Sequence, residues 1–220
     1  MRLRVGTRPS RLAIAQVEEV RSFFPGLIFN VMQIATKGDK DKVSSLTVRE
    51  NTDFFTYELE QALLHDQIDI AIHSAKDLDE NMPNSLSIAL MTPSISCFDC
   101  LVARGGYTLD TLPSGAVLGT SSVNRNESIK RYRNDLDVKD IRGNIDQRVE
   151  KLDRGEYDAV IVAHAALLRL GLEKRISQII PLNVITPHPL QGALAVQIKE
   201  DNVRLKNILN NSMYMQKVVS

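Results

Sequence analysis

Cysteine is scarce in this chain: Cys97 and Cys100 are the only two in 220 residues. Two are too few for the disulfide framework of a small secreted domain. Their C-x-x-C spacing raises a redox pair or a metal site. A redox pair normally opens a helix, however, and a metal site needs further ligands, whereas Cys97-Phe98-Asp99-Cys100-Leu101-Val102 runs into a strand-like segment. Reduced thiols and no metal centre are the expectation. Net charge is also lacking, with 27 Lys plus Arg against 27 Asp plus Glu. No overall field then draws in nucleic acid or an acidic membrane surface, and anion recognition has to be local. No stretch of about 18 apolar residues occurs, which excludes an ordinary membrane-spanning helix. Met1-Arg2-Leu3-Arg4-Val5-Gly6 lacks the long apolar segment of a signal peptide. A cytoplasmic protein with no nucleic-acid or membrane partner is expected.

What is present is α/β patterning. The chain is organised around Ile68-Asp69-Ile70-Ala71-Ile72-His73-Ser74-Ala75-Lys76-Asp77-Leu78. Its β-branched apolar run reads as a strand covered on both faces, and its exit is crowded with polar groups. In open α/β sheets ligands bind just beyond the carboxyl ends of strands, so Lys76 and Asp77 are better placed for chemistry than on a helix face. A polar loop that merely caps the next turn is the plainer alternative.

Before it, Arg2 to Gly6 reads as a strand, and Thr7-Arg8-Pro9-Ser10 as a turn into a helix carrying Leu12, Ala13, Gln16, Val17 and Val20. Free N–H groups at that helix start, with Arg8 beside them, suit a carboxylate or phosphate; an ordinary capped helix is the alternative. A strand over Leu27 to Ala35 follows. The charged and polar stretch from Thr36 to Asp53 reads as a mobile loop or lid. Phe54, Phe55, Leu59, Ala62 and Leu63 then form one helical stripe.

After a strand over Ser87 to Met91, Thr92-Pro93-Ser94 reads as a crossover into a second α/β unit. There Val117-Leu118-Gly119-Thr120-Ser121-Ser122 resembles the opening of the chain, with Arg125 and Lys130 nearby. A strand over Val138 to Arg142 and a helix from Ile145 to Leu152 bring Arg142 and Arg148 within reach of one ligand, or leave them as solvated arginines. Tyr157 to Ala166 echoes the Ile68 stretch and implies two similar halves, with His164 structural. Thr186-Pro187-His188-Pro189 returns the chain to a further strand and a helical tail from Asp201. Two α/β domains joined by two crossings would form a hinged cleft.

Gly6-Thr7-Arg8-Pro9-Ser10-Arg11-Leu12-Ala13, Thr36-Lys37-Gly38-Asp39, Tyr57-Glu58-Leu59-Glu60, His73-Ser74-Ala75-Lys76-Asp77-Leu78, Gly119-Thr120-Ser121-Ser122, Arg142-Gly143-Asn144 and Gln191-Gly192-Ala193-Leu194 occur in the order found in porphobilinogen deaminases, also called hydroxymethylbilane synthases. The chain resembles that family over essentially its whole length. The resemblance implies the type II periplasmic-binding-protein-like architecture. Domain 1 would comprise residues 1–92 plus 189–220, and domain 2 residues 93–188. It implies a transferase of porphyrin and heme biosynthesis that joins four porphobilinogen molecules head to tail, with loss of ammonia, into hydroxymethylbilane. A cleft protein that binds pyrrole carboxylates or another small organic anion without chemistry is the alternative.

By the resemblance, Asp77 is the catalytic aspartate, and Arg8, Ser10, Lys76, Ser121, Arg125, Arg142 and Arg148 bind substrate or cofactor carboxylates. Porphobilinogen and linear pyrroles are the expected partners. The family's third, α+β domain carries a dipyrromethane primer on a cysteine. Its sequence is expected to be missing here, and neither Cys97 nor Cys100 aligns with the attachment cysteine. A separate chain supplying that domain, a primer held without a covalent bond, or attachment to Cys97 or Cys100 are the routes left open. Val48-Arg49-Glu50-Asn51-Thr52-Asp53-Phe54 replaces a lysine-containing, glycine-rich loop. Asn124 stands where the first of two arginines is usual, and Leu190 replaces a glycine.

Overall fold

The structure, a computed structural model, describes residues 1–40, 52–79 and 82–210. Most of the lid expected over Thr36 to Asp53 lies outside the described residues. These fall into two compact units, one built from 1–40, 52–79, 82–94 and 193–210, the other from 95–192.

The first unit begins with β1 (Arg2–Thr7), α1 (Arg11–Ser22), β2 (Ile28–Gln33) and the short α2 (Lys37–Lys40). It continues through α3 (Tyr57–Leu64), β3 (Ile70–Ser74) and β4 (Leu86–Met91), and is completed by β10 (Leu194–Lys199) and a helical segment over 203–210. Its sheet runs β2-β1-β3-β10-β4. β1 is parallel to β2 and β3, while β10 is antiparallel to β3 and β4. β3 is therefore central, and both its faces are covered. Ile70 and Ile72 pack with Val17, Val20 and Phe24 of the α1 side, whereas Ala71 packs with Leu59 and Leu63 of α3. That is why its sequence is an unbroken apolar run instead of an alternating one. Each buried Ile, Val, Leu or Phe among them contributes about 1.5–3 kcal/mol relative to exposure.

The second unit holds β5 (Asp99–Ala103), β6 (Val117–Gly119), α4 (Val123–Tyr132), β7 (Asp137–Lys139) and α5 (Ile145–Asp153). β8 (Ala159–Ala163), α6 (His164–Leu170) and β9 (Gln178–Ile180) follow. Its sheet runs β7-β6-β8-β5-β9, with β6 parallel to β7 and β8, and β5 antiparallel to β8 and β9. The pattern repeats that of the first sheet. In each, a single strand reverses direction, and it is the first strand the chain forms after crossing from the other unit.

The strand expected over Val138 to Arg142 is shorter. β6 offers three residues of pairing, ending at Gly119 opposite Lys139. Beyond that the chain leaves the sheet and is caught by Ser121, so Arg142 stands in a loop. Gly143 follows at φ 112°, a region that non-glycine residues rarely enter. Helix α6 starts at His164, directly at the end of β8, and α2 and β9 had no clear signal in their sequence.

Candidate active site

The exit of β3 is a rigid turn. Ala75 is fully buried, and its N–H donates to the carbonyl of Ala193 at 3.0 Å. A single 3-10 turn over Ala75–Asp77 follows, leaving Lys76 and Asp77 partly buried. Among the described residues nothing hydrogen-bonds or ion-pairs with the Asp77 carboxylate. A half-buried carboxylate on a fixed turn, with its lone pairs unused, is available to a ligand N–H or a cation. At the end of β3, just before the turn, Ser74 accepts from Gln16 Nε2 at 2.9 Å, which ties the strand exit to α1.

Arg8 and Ser10 flank the start of α1. Ser10 is its N-cap, the hydroxyl accepting from Ala13 N at 3.1 Å, and among the described residues nothing accepts its own O–H. Arg8 grips Asp39 side-on, Nε at 3.1 and 3.2 Å from the two carboxylate oxygens and Nη2 at 2.5 Å from Oδ1. Phe55 lies under the guanidinium, 4.2 Å from ring centroid to Cζ. Burial pushes the Asp39 carboxyl up, but Arg8 and the donors of Thr36 outweigh it and hold the pKa below the ordinary value. Asp39 and Phe55 were not singled out from the sequence as functional, although Thr36-Lys37-Gly38-Asp39 was part of the family pattern.

Beneath the turn runs a buried polar chain. His73 Nε2 lies 3.0 Å from Gln197 Oε1, and Gln197 Nε2 donates to Glu60 Oε1 at 3.0 Å. Because the Gln197 amide N–H points at Glu60, its oxygen faces His73, which makes Nε2 the protonated nitrogen. Burial, opposed by the Gln197 hydrogen bond and helped by the charge of Arg8, pushes His73 down to about 4. The imidazole is neutral at physiological pH.

In the second unit, Ser121 donates to the Ile141 carbonyl at 2.5 Å and accepts from its N–H at 3.2 Å, so the hydroxyl is spent on anchoring the loop that leads to Arg142. Arg125 is buried and bound side-on to Asp99, Nε–Oδ2 3.0 Å and Nη2–Oδ1 2.6 Å. Gln191 completes the cluster. Its Nε2 donates to Asp99 Oδ1 at 2.8 Å and to the Cys97 carbonyl at 2.9 Å, and its Oε1 accepts from Arg125 Nη2 at 3.4 Å. Asn124 donates to the Thr186 carbonyl at 2.7 Å. The side chain standing where an arginine is usual therefore fastens the returning segment. Arg148 and Lys151 of α5 hold the loop of Arg142: Arg148 Nε donates to Gly143 O at 2.9 Å and Lys151 Nζ to Arg142 O at 3.1 Å. Asp99 and Gln191 were not expected as partners of Arg125; a buried arginine in a chain of balanced charge implies a carboxylate close by.

Both cysteines are free thiols. Cys100 is fully buried on β5, its Sγ 3.5 Å from the Val162 carbonyl, and burial with the neighbouring Asp99 pushes its thiol up to about 12. Cys97 is a free, partly buried thiol. Among the described residues no cluster of His, Cys, Asp or Glu could hold a metal ion.

Known proteins share both fold and sequence with this chain. An ancestral arginine-binding protein bound to arginine superposes with a TM-score of 0.53 at 17% identity, covering 98% of this chain and 92% of that one. The Bordetella pertussis BvgS periplasmic VFT2 domain does so with a TM-score of 0.53 at 16% identity, covering 97% and 87%. These likenesses show the fold, a two-domain α/β architecture of the type II periplasmic-binding-protein kind. Sequence reaches further. A porphobilinogen deaminase of Desulforudis audaxviator is 42% identical over 93% of this chain and 68% of its own length. Those of Natranaerobius thermophilus and Nostoc sp. are 41% and 38% identical over 95% and 94% of this chain, and 69% and 66% of their own lengths. The chain thus spans about two thirds of these relatives. The family profile described as porphobilinogen deaminase, dipyromethane cofactor binding domain, matches residues 3–207. On a half-buried Asp77 at a strand exit and a match of this extent, the chain belongs to the porphobilinogen deaminase family.

Proposed function

We propose that this chain acts as a porphobilinogen deaminase (hydroxymethylbilane synthase), a cytoplasmic transferase of porphyrin and heme biosynthesis. It would join four porphobilinogen molecules into hydroxymethylbilane with loss of ammonia. The observation that carries this reading is the Asp77 carboxylate, unengaged among the described residues, in a chain matched to the family over residues 3–207. No helix among the described residues is long and apolar enough to cross a membrane.

The chemistry needs a fixed anion. When the aminomethyl C–N bond of porphobilinogen breaks, both electrons leave with ammonia, and the ring becomes a cationic azafulvene whose charge is shared with the pyrrole N–H. The next pyrrole α-carbon attacks the exocyclic carbon and then loses its proton. Asp77 accepts the N–H and faces the developing charge. At about 4 Å and an effective dielectric near 20 such a pair is worth about 4 kcal/mol, and a preset carboxylate contributes it without reorganising.

Acetate and propionate groups of the kind the substrate carries suit Arg8, Ser10 and Lys76 in the first unit, and Arg142 and Arg148 in the second. Within the second unit Ser121 and Arg125 act indirectly, by holding loops through Ile141 and Asp99. A dipyrromethane primer, when bound, supplies the pyrrole to which the first porphobilinogen is added. Its carboxylates fit the guanidinium groups of Arg142 and Arg148. Cys100 does not fit thioether attachment, since its thiol is buried and held protonated by a pKa pushed up to about 12.

Porphobilinogen consumption by the purified protein tests this reading. Asp77→Ala should lower kcat by about 10²–10³-fold while the protein stays folded. Consumption no greater than that of Asp77→Ala would overturn the enzymatic reading, and saturable binding alongside would point to the non-catalytic, carboxylate-binding alternative.

A further inference from the structure

We infer that Asp39 and Phe55 are positioning residues for Arg8, confining its guanidinium to end-on contact with one carboxylate of the substrate, and that residue 38 is glycine so that Phe55 can reach it. The inference rests on the proposed function, in which Arg8 binds that carboxylate.

A guanidinium has five N–H groups arranged on two usable edges. Asp39 occupies the side edge through Nε and Nη2. Among the described residues no partner holds Nη1, so the end edge, formed by Nη1 and the outer hydrogen of Nη2, is what a ligand can meet. The clamp cannot follow a moving arginine. Thr36 is fully buried, and Asp39 Oδ2 is pinned by Thr36 N at 3.0 Å and Thr36 Oγ1 at 2.8 Å.

The flat face is fixed just as firmly. Phe55 sits 4.2 Å from Arg8 Cζ and meets the buried Phe54 edge-on, centroids 5.2 Å apart. A Cβ on residue 38 would lie 2.1 Å from Phe55 Cε1 and 2.3 Å from its Cδ1, so any other residue there would displace the ring. Carboxylate below the fork, ring on the face and glycine beside the ring are three separate observations that point to one oriented edge. Arginine carries large rotamer entropy, and ordering it before the ligand arrives removes that cost from binding.

A double-mutant cycle on the intact protein tests this, with porphobilinogen as the probe, read as kcat, KM and calorimetric Kd. Asp39→Asn should raise KM and Kd about five- to tenfold with a smaller change in kcat, and Gly38→Ala, which leaves every charge in place, should act in the same direction. Added to Arg8→Ala, neither should have a further effect. Thermal unfolding of each variant separates orientation from loss of fold. A fall in KM for Asp39→Asn, showing that Asp39 competes with the substrate, would overturn the inference, as would effects that simply add to those of Arg8→Ala. Absence of both turnover and binding in the unmutated protein would remove the proposed function and this inference with it.

Discussion

The Arg125–Asp99 pair illustrates how far single residues commit to structure. Asp99 is 4% exposed and Arg125 9%, so removing one partner leaves an uncompensated buried charge. Asp99→Ala should cost about 3–5 kcal/mol, measured by urea unfolding, whereas Asp99→Leu combined with Arg125→Met should recover most of that loss. The sequence placed Arg125 in a ligand-binding motif but could not reveal that its fork is closed by a residue 26 positions earlier and by Gln191. That partnership exists only once the sheet brings the segments together. His73 gives a pH-dependent counterpart. Its folded pKa is lowered to about 4 against an ordinary value of about 6.5, so below about pH 6.5 the unfolded chain takes up a proton that the folded chain refuses. Stability should therefore fall as pH drops from about 6.5 towards 4, by about 3 kcal/mol in all. The same titration on His73→Gln should lack this component, and equal slopes for the two proteins would contradict the assignment.

Elements show where pattern was a sound guide and where tertiary pairing overruled it. The start of β3 was legible because burial on both faces leaves the apolar run Ile70-Ala71-Ile72, and α1 because Ala13, Gln16, Val17 and Val20 recur at helical spacing. β7 was overestimated because its end is set by the length of β6, which lies far away in sequence. α5 was anticipated, and Asn144 closes its start through a capping box with Gln147, at 2.9 and 3.0 Å. Asn144→Ala should destabilise by about 1 kcal/mol, seen as a lower urea midpoint with an unchanged m-value. It should also loosen the loop that carries Arg142. Gly143→Ala should be worse, since its Cβ would lie 2.8 Å from Gln147 Oε1 at φ 112°.

For the molecule as a whole, the echo between the Ile68 and Tyr157 stretches corresponds to β3 and β8, which hold the same place in their sheets. The crossings were marked by Thr92-Pro93-Ser94 and Thr186-Pro187-His188-Pro189. The units change over after Ser94 and after Gly192, because Gln191 and its neighbours are bonded into the 95–192 unit. The family pattern suggests porphobilinogen as the ligand for a strand exit that its polar residues already marked. The measurement that bears most directly on the central claim is the stoichiometry of the reaction. Purified protein supplied with porphobilinogen should release four ammonia per hydroxymethylbilane formed, and Asp77→Ala should release almost none. Saturable porphobilinogen binding without ammonia release, or an Asp77→Ala protein as active as the unmutated one, would contradict it.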